Sequence, residues 1–159
     1  MEEVSWDEAI EYYRKLTTMH QNEGLLSDGW EWRLPTEAEW EFAARAGSTG
    51  ARYGELDVIG WYDGNSGGAT HTVKQKQANA WGLYDMLGNV SEWCSDWHGE
   101  YASGTMTDPR GPSWGDCRVV RGGAWSGDAV LSRAGCRGGC DPDLWDYSLG
   151  FRPALSSVR

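Results

Sequence analysis

The pattern of apolar and polar positions near the start of the chain predicts an amphipathic helix. Ser5 and Glu8 have the spacing of a capping box, in which each side chain accepts a hydrogen bond from the other residue's backbone N–H. Val4 and Ala9 are placed to form the hydrophobic staple that accompanies such a box. We therefore expect a helix over Trp6–Thr18. Its apolar stripe consists of Trp6, Ala9, Ile10, Tyr13 and Leu16.

A second capping box predicts a second helix. Thr36 and Glu39 form the box, and Pro35 precedes it at a position that cannot continue a helix from upstream. The helix should end near Gly47, because glycine favours the turn that follows a helix. It carries Trp40, Phe42, Ala43 and Ala44.

Beyond Gly50 the pattern changes to short apolar segments separated by Gly, Asn, Asp and Ser clusters. This pattern is typical of short strands and ordered loops, not of βαβ units. No internal repeat or linker interrupts it. We expect one α+β domain over residues 1–159, with two helices on a small, irregular antiparallel sheet and many loops.

The C-terminal third contains a segment with neither helical nor strand periodicity. It lies between Arg121–Trp125 and Leu149–Arg152, and long structureless segments inside a domain are usually functional or disordered. Its apolar residues argue against disorder. We interpret the segment as a contact surface held at both ends, with Trp125 and Phe151 as buried anchors. The alternative is that Trp145 and Tyr147 are ordinary core residues, which we disfavour because residues 144–147 follow no burial period.

Composition excludes some classes of binding partner. The 159 residues carry a net charge of −10, which argues against binding to a nucleic-acid backbone. No apolar run approaches the roughly 20 residues that span a bilayer, so we expect no membrane insertion. The chain opens without a basic and apolar leader, and its localisation stays open; a virion or a cell surface is compatible with it.

The four cysteines form no strong pattern. Cys136 and Cys140 have the spacing of half a metal site, but no second pair or histidine lies at ligand spacing. A disulfide and free thiols both remain open.

Several segments together resemble the formylglycine-generating-enzyme-like (sulfatase-modifying factor) family. They are Val4–Ala9, Trp32–Arg45, Asn79–Trp93 and Arg118–Trp125. The strings R-L-P-T-E-A-E-W-E and G-L-Y-D-M-L-G-N-V-S-E-W are specific in their order, and the segments cover most of the chain. The resemblance implies a variant of the C-type lectin fold. From their capping-box and core-ring pattern, we interpret Arg33, Glu37, Glu39 and Trp40 as scaffold residues, with any Arg–Glu pair structural.

The resemblance also implies what an enzyme of this family would need. Its oxidase branch uses copper and two cysteines, and counting from Arg121 places those cysteines at Gly127 and Ser132. Glycine offers no ligand atom, and a hydroxyl binds soft Cu(I) poorly beside a thiolate. An iron-binding branch uses a histidine triad, whereas His20, His71 and His98 form no H-x-x-x-H arrangement. We therefore disfavour a formylglycine-generating-type oxidase and keep it as the alternative function.

The chain is most similar to the variable proteins of diversity-generating retroelements. In that branch the segment from R-G-G-S-W to G-F-R is diversified by error-prone copying at adenines, and Asn codons so altered commonly give Ser, Gly, Asp, Tyr, Cys, Val or Leu. The resemblance implies a non-catalytic protein with a variable region at 118–152 that binds a protein or another macromolecule. A plain structural domain in a larger assembly is a third hypothesis. The predicted ligand-binding residues are Ser126, Gly127, Asp128, Val130, Leu131, Cys136, Gly138, Gly139, Cys140, Asp141, Leu144, Trp145, Asp146, Tyr147 and Ser148.

Within that region we expect aromatic anchors and a polar rim. Trp145 and Tyr147 offer contact area at low entropy cost, beside small adaptable residues. Asp128, Asp141 and Asp146 could line the rim, whereas Asp143 after Pro142 suggests a turn.

One cation site is a further expectation. Asn89, the carbonyl of Val90 and Glu92 match a calcium position of the enzyme family, although three ligands fall short of the six to eight that calcium takes. The alternative is that Asn89 and Glu92 hydrogen-bond loop backbone. Apart from calcium we expect no cofactor.

Overall fold

The computed structural model describes residues 2–157 and has an α+β architecture, as the sequence predicts. Its order is α1 (Trp6–Asn22), β1 (Trp30–Arg33), α2 (Glu37–Arg45), α3 (Leu56–Ile59), β2 (Ser91–Trp97), β3 (Arg118–Arg121), β4 (Arg137–Cys140), β5 (Leu149–Gly150) and β6 (Ala154–Ser157). None of the helices in this part of the chain has the length and apolarity that a bilayer crossing requires.

Both predicted helices form, and both capping boxes are complete. Ser5 and Glu8 cap α1, which continues about one turn beyond the predicted end to Asn22. Thr36 and Glu39 cap α2, which ends at Arg45. Ala46 adopts a left-handed conformation with φ 43°, so the chain turns one residue before the predicted glycine. The short helix α3 was not expected.

The sheet differs from the prediction in two ways. It has four strands in the order β4-β3-β2-β5, and β5 pairs with β2 in parallel, so the sheet is mixed and not purely antiparallel. The apolar pattern within one strand does not show whether that strand pairs in parallel or antiparallel with another. Strands β1 and β6 form a separate antiparallel pair.

The second difference lies inside the segment that shows no periodicity. Residues 137–140 form β4, which pairs with β3 along its whole length. Gly138 and Gly139 have no side chains that could show an alternating pattern, so the strand is invisible to periodicity. Backbone pairing with β3 sets it instead.

Two apolar clusters cover the two faces of the four-stranded sheet. Adjacent residues of β3 take opposite faces, because successive strand side chains alternate. Val119 packs in a cluster with Trp40 of α2. Val120 packs in the other cluster, with Ala9 and Tyr13 of α1. The predicted stripe of α1 therefore faces the sheet, with Ala9 and Tyr13 fully buried and the rest half-buried.

Candidate binding surface

Two glycines at the end of β3 hold the chain in a conformation that other residues rarely adopt. Gly122 has φ 96° and Gly123 has φ 76°. A Cβ at Gly122 would lie 3.2 Å from the Trp40 ring, and one at Gly123 would lie 2.9 Å from Ser132 Oγ. A side chain at either position would therefore displace the loop that follows.

A buried guanidinium supports this turn from inside the molecule. Arg121 is 1% exposed, and its guanidinium donates to Glu41 and to the carbonyl of Cys136. Glu37 lies 3.5 Å from Arg121 and makes two hydrogen bonds of 2.7 Å with Arg137 at the start of β4. These ion pairs join α2 to both ends of the loop between β3 and β4.

The far end of the segment is fixed in a similar way. Arg152 donates to Glu92 at 2.7 and 2.9 Å, and Trp40 Nε1 donates to the same carboxylate at 2.7 Å. The backbone N–H of Ser91 donates to the carbonyl of Ser148 at 2.8 Å. The segment therefore begins and ends on the same buried frame, which we define as residues 121–125 and 149–152.

The predicted anchors are less buried than expected. Trp125 and Phe151 are both half-buried. Trp125 lies at the surface edge, with its ring centroid 5.8 Å from that of Tyr147, and Phe151 packs edge-on against Tyr13 at 5.3 Å. The sequence predicted buried anchors, and both side chains are buried only in part because each lies at the edge of the frame.

Five predicted site residues form the group that we call the aromatic surface. Their side chains are exposed, at 56% for Val130, 45% for Leu131, 43% for Leu144, 65% for Trp145 and 56% for Tyr147. They lie on loops 126–131 and 144–148, and Trp125, which directly precedes the first loop, contacts Tyr147 of the second. The alternative that Trp145 and Tyr147 are core residues is therefore wrong.

Aspartates shape these loops. Asp146 Oδ1 accepts hydrogen bonds from the N–H and the hydroxyl of Ser148, and Asp141 Oδ1 accepts from the N–H of Asp143. Their side chains stabilise turns in the way that Asx residues usually do. Asp128 and Asp143 have exposed side chains, as do Ser126 and Asp141.

Four predicted site residues lie elsewhere. Gly138, Gly139 and Cys140 belong to β4 and Cys136 directly precedes it, so they lie apart from loops 126–131 and 144–148. A Cβ at Gly139 would lie 2.8 Å from His98 Cγ, and Cys140 packs in the cluster with Val120. Burial raises the pKa of the Cys140 thiol. All four cysteines are free thiols.

The two positions that correspond to the oxidase cysteines are poorly suited to metal chemistry. Gly127 is half-buried, and its N–H and carbonyl bond to Ala124 and Asp63. Ser132 is fully buried, and no partner reaches its Oγ among residues 2–157. Within the same described range, no three His, Cys, Asp or Glu side chains are placed to hold a metal ion.

The residues expected to bind calcium are engaged in other contacts. Asn89 exchanges hydrogen bonds with the backbone of His71, accepting from its N–H at 3.0 Å and donating to its carbonyl at 3.1 Å. The Glu92 carboxylate accepts from Trp40 and Arg152. These contacts do not fit a calcium site as they stand. For Asn89 they match the alternative of loop support, and calcium binding stays an untested prediction.

Two supporting segments were missed by sequence reasoning. In loop 61–71, Ser66 Oγ donates to the carbonyl of Trp125 at 2.9 Å and the N–H of Asp63 donates to Gly127 at 3.1 Å. At the N-terminus, the N–H of Glu3 donates to the carbonyl of Asp146 at 3.2 Å. These hydrogen bonds join distant segments through backbone groups and the Ser66 hydroxyl, and only the turn-forming composition of loop 61–71 could have suggested a role.

A family model and two curated relatives match most of this chain. The family model described as "Sulfatase-modifying factor enzyme 1-like domain" matches residues 1–157. The formylglycine-generating enzyme of Streptomyces coelicolor is 37% identical over 175 residues, covering 95% of this chain and 51% of the enzyme. Serine/threonine-protein kinase pkn1 of Chlamydia pneumoniae is 42% identical over 132 residues, covering 78% of this chain and 21% of the kinase. The chain thus spans between about a fifth and about half of these curated relatives.

A solved structure is similar over nearly the whole chain. Treponema denticola variable protein 1 superposes with a TM-score of 0.88 at 34% identity, covering 99% of this chain and 70% of that protein. Similarity of this extent supports the C-type lectin-like fold implied by the sequence.

Proposed function

This chain belongs to the sulfatase-modifying factor enzyme 1-like domain family, and from that premise we propose that it is a non-catalytic binding protein. The aromatic surface contacts a macromolecular ligand. One observation carries this proposal: five large apolar side chains are 43–65% exposed on loops whose ends are fixed by a buried frame. The Trp125–Tyr147 contact links the start of one loop to the other, and contiguous exposed apolar groups mark interaction sites.

The likeness to a variable protein supports the further proposal that residues of this surface are diversified. Side chains can vary without loss of the fold only where other residues fix the backbone. Loops 126–131 and 144–148 meet that condition, because Gly122, Gly123, Arg121 and Leu149 hold their ends. We exclude residues 138–140 from the diversified set, because β4 packs against the sheet and His98.

Charge indicates the kind of partner. The chain carries a net charge of −10, and the exposed carboxylates of Asp128 and Asp143 lie on the segment that carries the aromatic surface. Complementary potentials favour association, so the partner should present an apolar centre with Lys and Arg around it. Nucleic acid and membrane lipid are not the proposed ligands.

The gene's neighbourhood tests diversification. We expect a near-identical repeat of codons 118–152, carrying adenines where the exposed loop residues differ, beside a reverse-transcriptase gene. A genome with neither feature next to this gene would contradict diversification.

Selection from displayed libraries tests binding. One library randomises the aromatic surface, and a control library randomises five exposed apolar positions elsewhere, Met19, Leu25, Val58, Val73 and Trp114. Both are selected against one purified basic protein. We expect specific binders from the first library only. Equal yields from the two libraries would contradict the proposed binding surface.

An oxidase remains the second candidate, because the family includes formylglycine-generating enzymes. The residues argue against it, since Gly127 and Ser132 supply no thiolate. Copper titration with an oxygen electrode and a thiol peptide separates the two functions. We expect no stoichiometric copper binding and no oxygen consumption, and both together would establish the oxidase.

A further inference from the structure

A cavity of about 800 Å³ lies between α2 and the loop 98–112 that follows β2. Its lining includes no residue of the aromatic surface. Apolar walls come from Phe42, Tyr101, Met106, Pro109 and Pro112. Cavities that bind small molecules have volumes of roughly 300–1,000 Å³ and mainly apolar walls with a few polar groups.

Most charged groups of this cavity already have partners. Glu37 accepts two hydrogen bonds from Arg137 at 2.7 Å and one from the Tyr101 hydroxyl at 2.9 Å. Glu41 pairs with Arg45 at 2.7 Å and with the buried Arg121. These carboxylates and guanidiniums neutralise one another, so they leave little charge to attract a ligand.

Glu100 and Arg110 also line the cavity but are exposed, whereas Asp96 is buried. It is 4% exposed and lines the cavity, yet no Lys, Arg or His of the described chain forms an ion pair with it. Its Oδ2 accepts from the N–H of Glu37 at 2.9 Å and from the hydroxyl of Ser95 at 3.1 Å. Within residues 2–157, no hydrogen bond reaches its Oδ1. Burial is the main reason that the pKa of Asp96 is raised above its usual value.

A glycine borders that oxygen in the cavity wall. A Cβ at Gly111 would lie 3.5 Å from Asp96 Oδ1 and 3.0 Å from the carbonyl of Trp97. Gly111 has a positive φ of 66°, a conformation that favours glycine at this position. A buried carboxylate without a cation is costly, and an added cation would relieve that cost.

We propose that this cavity binds an organic ammonium ion with an apolar body. The ammonium donates to Asp96 Oδ1, and the apolar body contacts Phe42, Tyr101 and Met106. A carboxylate ligand is disfavoured, because the one buried charge without a counter-ion in the wall is itself negative. This inference is independent of the binding function proposed for the aromatic surface.

Calorimetric titration of the whole chain at neutral pH tests the proposal. Phenethylammonium is the probe, and phenethyl alcohol is its neutral match. We expect the ammonium to bind at least about tenfold more tightly than the alcohol, a difference of about 1.4 kcal/mol. In Asp96→Asn this preference should be lost, while the new amide oxygen can still accept from Glu37.

A second variant guards against a loss of fold in the first. Met106→Lys places a positive charge, like that of the ammonium, on a partly exposed side chain of the cavity wall. It should weaken ammonium binding by about tenfold or more. Leu25→Lys, on an exposed residue outside the cavity lining, should bind as the wild type does. The proposal is overturned if the ammonium fails to bind at millimolar concentration, if the alcohol binds equally well, or if both Asp96→Asn and Met106→Lys bind the ammonium normally.

Discussion

Arg121 shows how a single side chain can fix the ends of a loop. Its guanidinium is buried and contacts Glu37, Glu41 and the carbonyl of Cys136, which come from α2 and from the end of the loop after β3. Removal of one partner from a buried ion-pair network leaves the other charges uncompensated. The aromatic surface therefore depends on a residue that lies outside it.

We predict that Arg121→Met lowers the free energy of unfolding by about 3–5 kcal/mol, because Glu37 and Glu41 then lose a buried counter-charge. Urea unfolding followed by circular dichroism measures the change. Arg14→Met is the matched control, since Arg14 forms an exposed pair with Glu11 and should leave stability nearly unchanged. A loss for Arg121→Met as small as that of the control would show that the network contributes little.

The pH dependence of stability should reflect Glu39. Hydrogen bonds from Arg33 lower the pKa of Glu39 from 4.5 to about 2. A lowered pKa in the folded state stabilises the protein above pH 4.5, and this contribution is lost as the pH falls from 4.5 to about 2.

We therefore predict that Glu39→Gln is less stable than the wild type at neutral pH and that the difference shrinks as the pH falls through that range. Urea unfolding at a series of pH values measures it. Glu55→Gln is the control, because Glu55 makes no side-chain capping bond at the start of α3. A difference that stays constant with pH would argue against the Arg33–Glu39 contribution.

Sequence reasoning at this scale succeeds where the interaction is local. The capping pairs Ser5–Glu8 and Thr36–Glu39 are three residues apart, so their spacing alone predicts their contacts. The pairs Arg121–Glu41 and Arg137–Glu37 join residues 80 and 100 positions apart. No local pattern could identify those partners.

Strand β4 shows the same limit at the scale of an element. The helices could be predicted because apolar side chains recur along them with helical spacing. Gly138 and Gly139 give β4 no such periodicity, and the strand is set by its long-range pairing with β3. The parallel pairing of β5 with β2 is also a product of the whole chain. The exposed loops on either side of β4 lie within the single segment that the sequence analysis found to lack periodicity.

Residues of β4 should not tolerate substitution as loop residues do. A Cβ at Gly139 would lie 2.8 Å from His98 Cγ and 3.2 Å from Cys117 Cβ. We predict that Gly139→Ala lowers the free energy of unfolding by about 1–3 kcal/mol, through overpacking.

Thermal and urea unfolding of Gly139→Ala measure that cost. Gly127→Ala serves as the matched control, because its Cβ would meet no atom closer than 3.4 Å. His98→Gly should restore part of the stability of Gly139→Ala. If Gly139→Ala is as stable as the control, the exclusion of residues 138–140 from the diversified set would be contradicted.

At the scale of the whole molecule, the residues that stabilise the fold are distinct from the exposed loop residues that we propose to bind a partner. Buried clusters on both faces of the sheet, together with the ion pairs of α2, stabilise the fold. The exposed loops between β3 and β5 contribute little to either cluster, apart from Ala129 and Ala134. Sequence similarity predicted this division, because the motifs that carry the resemblance lie mainly in the buried scaffold.

A folding selection on two displayed libraries tests this division most directly. The first library randomises all five residues of the aromatic surface at once. The second randomises five frame or buried positions, Ala124, Ser132, Ala134, Leu149 and Gly150. Resistance to protease reports folding, and sequencing before and after the selection gives the surviving fraction of each library. We predict that most surface variants survive and that few frame variants do. Equal loss from both libraries would contradict the claim that a fixed frame carries interchangeable exposed side chains.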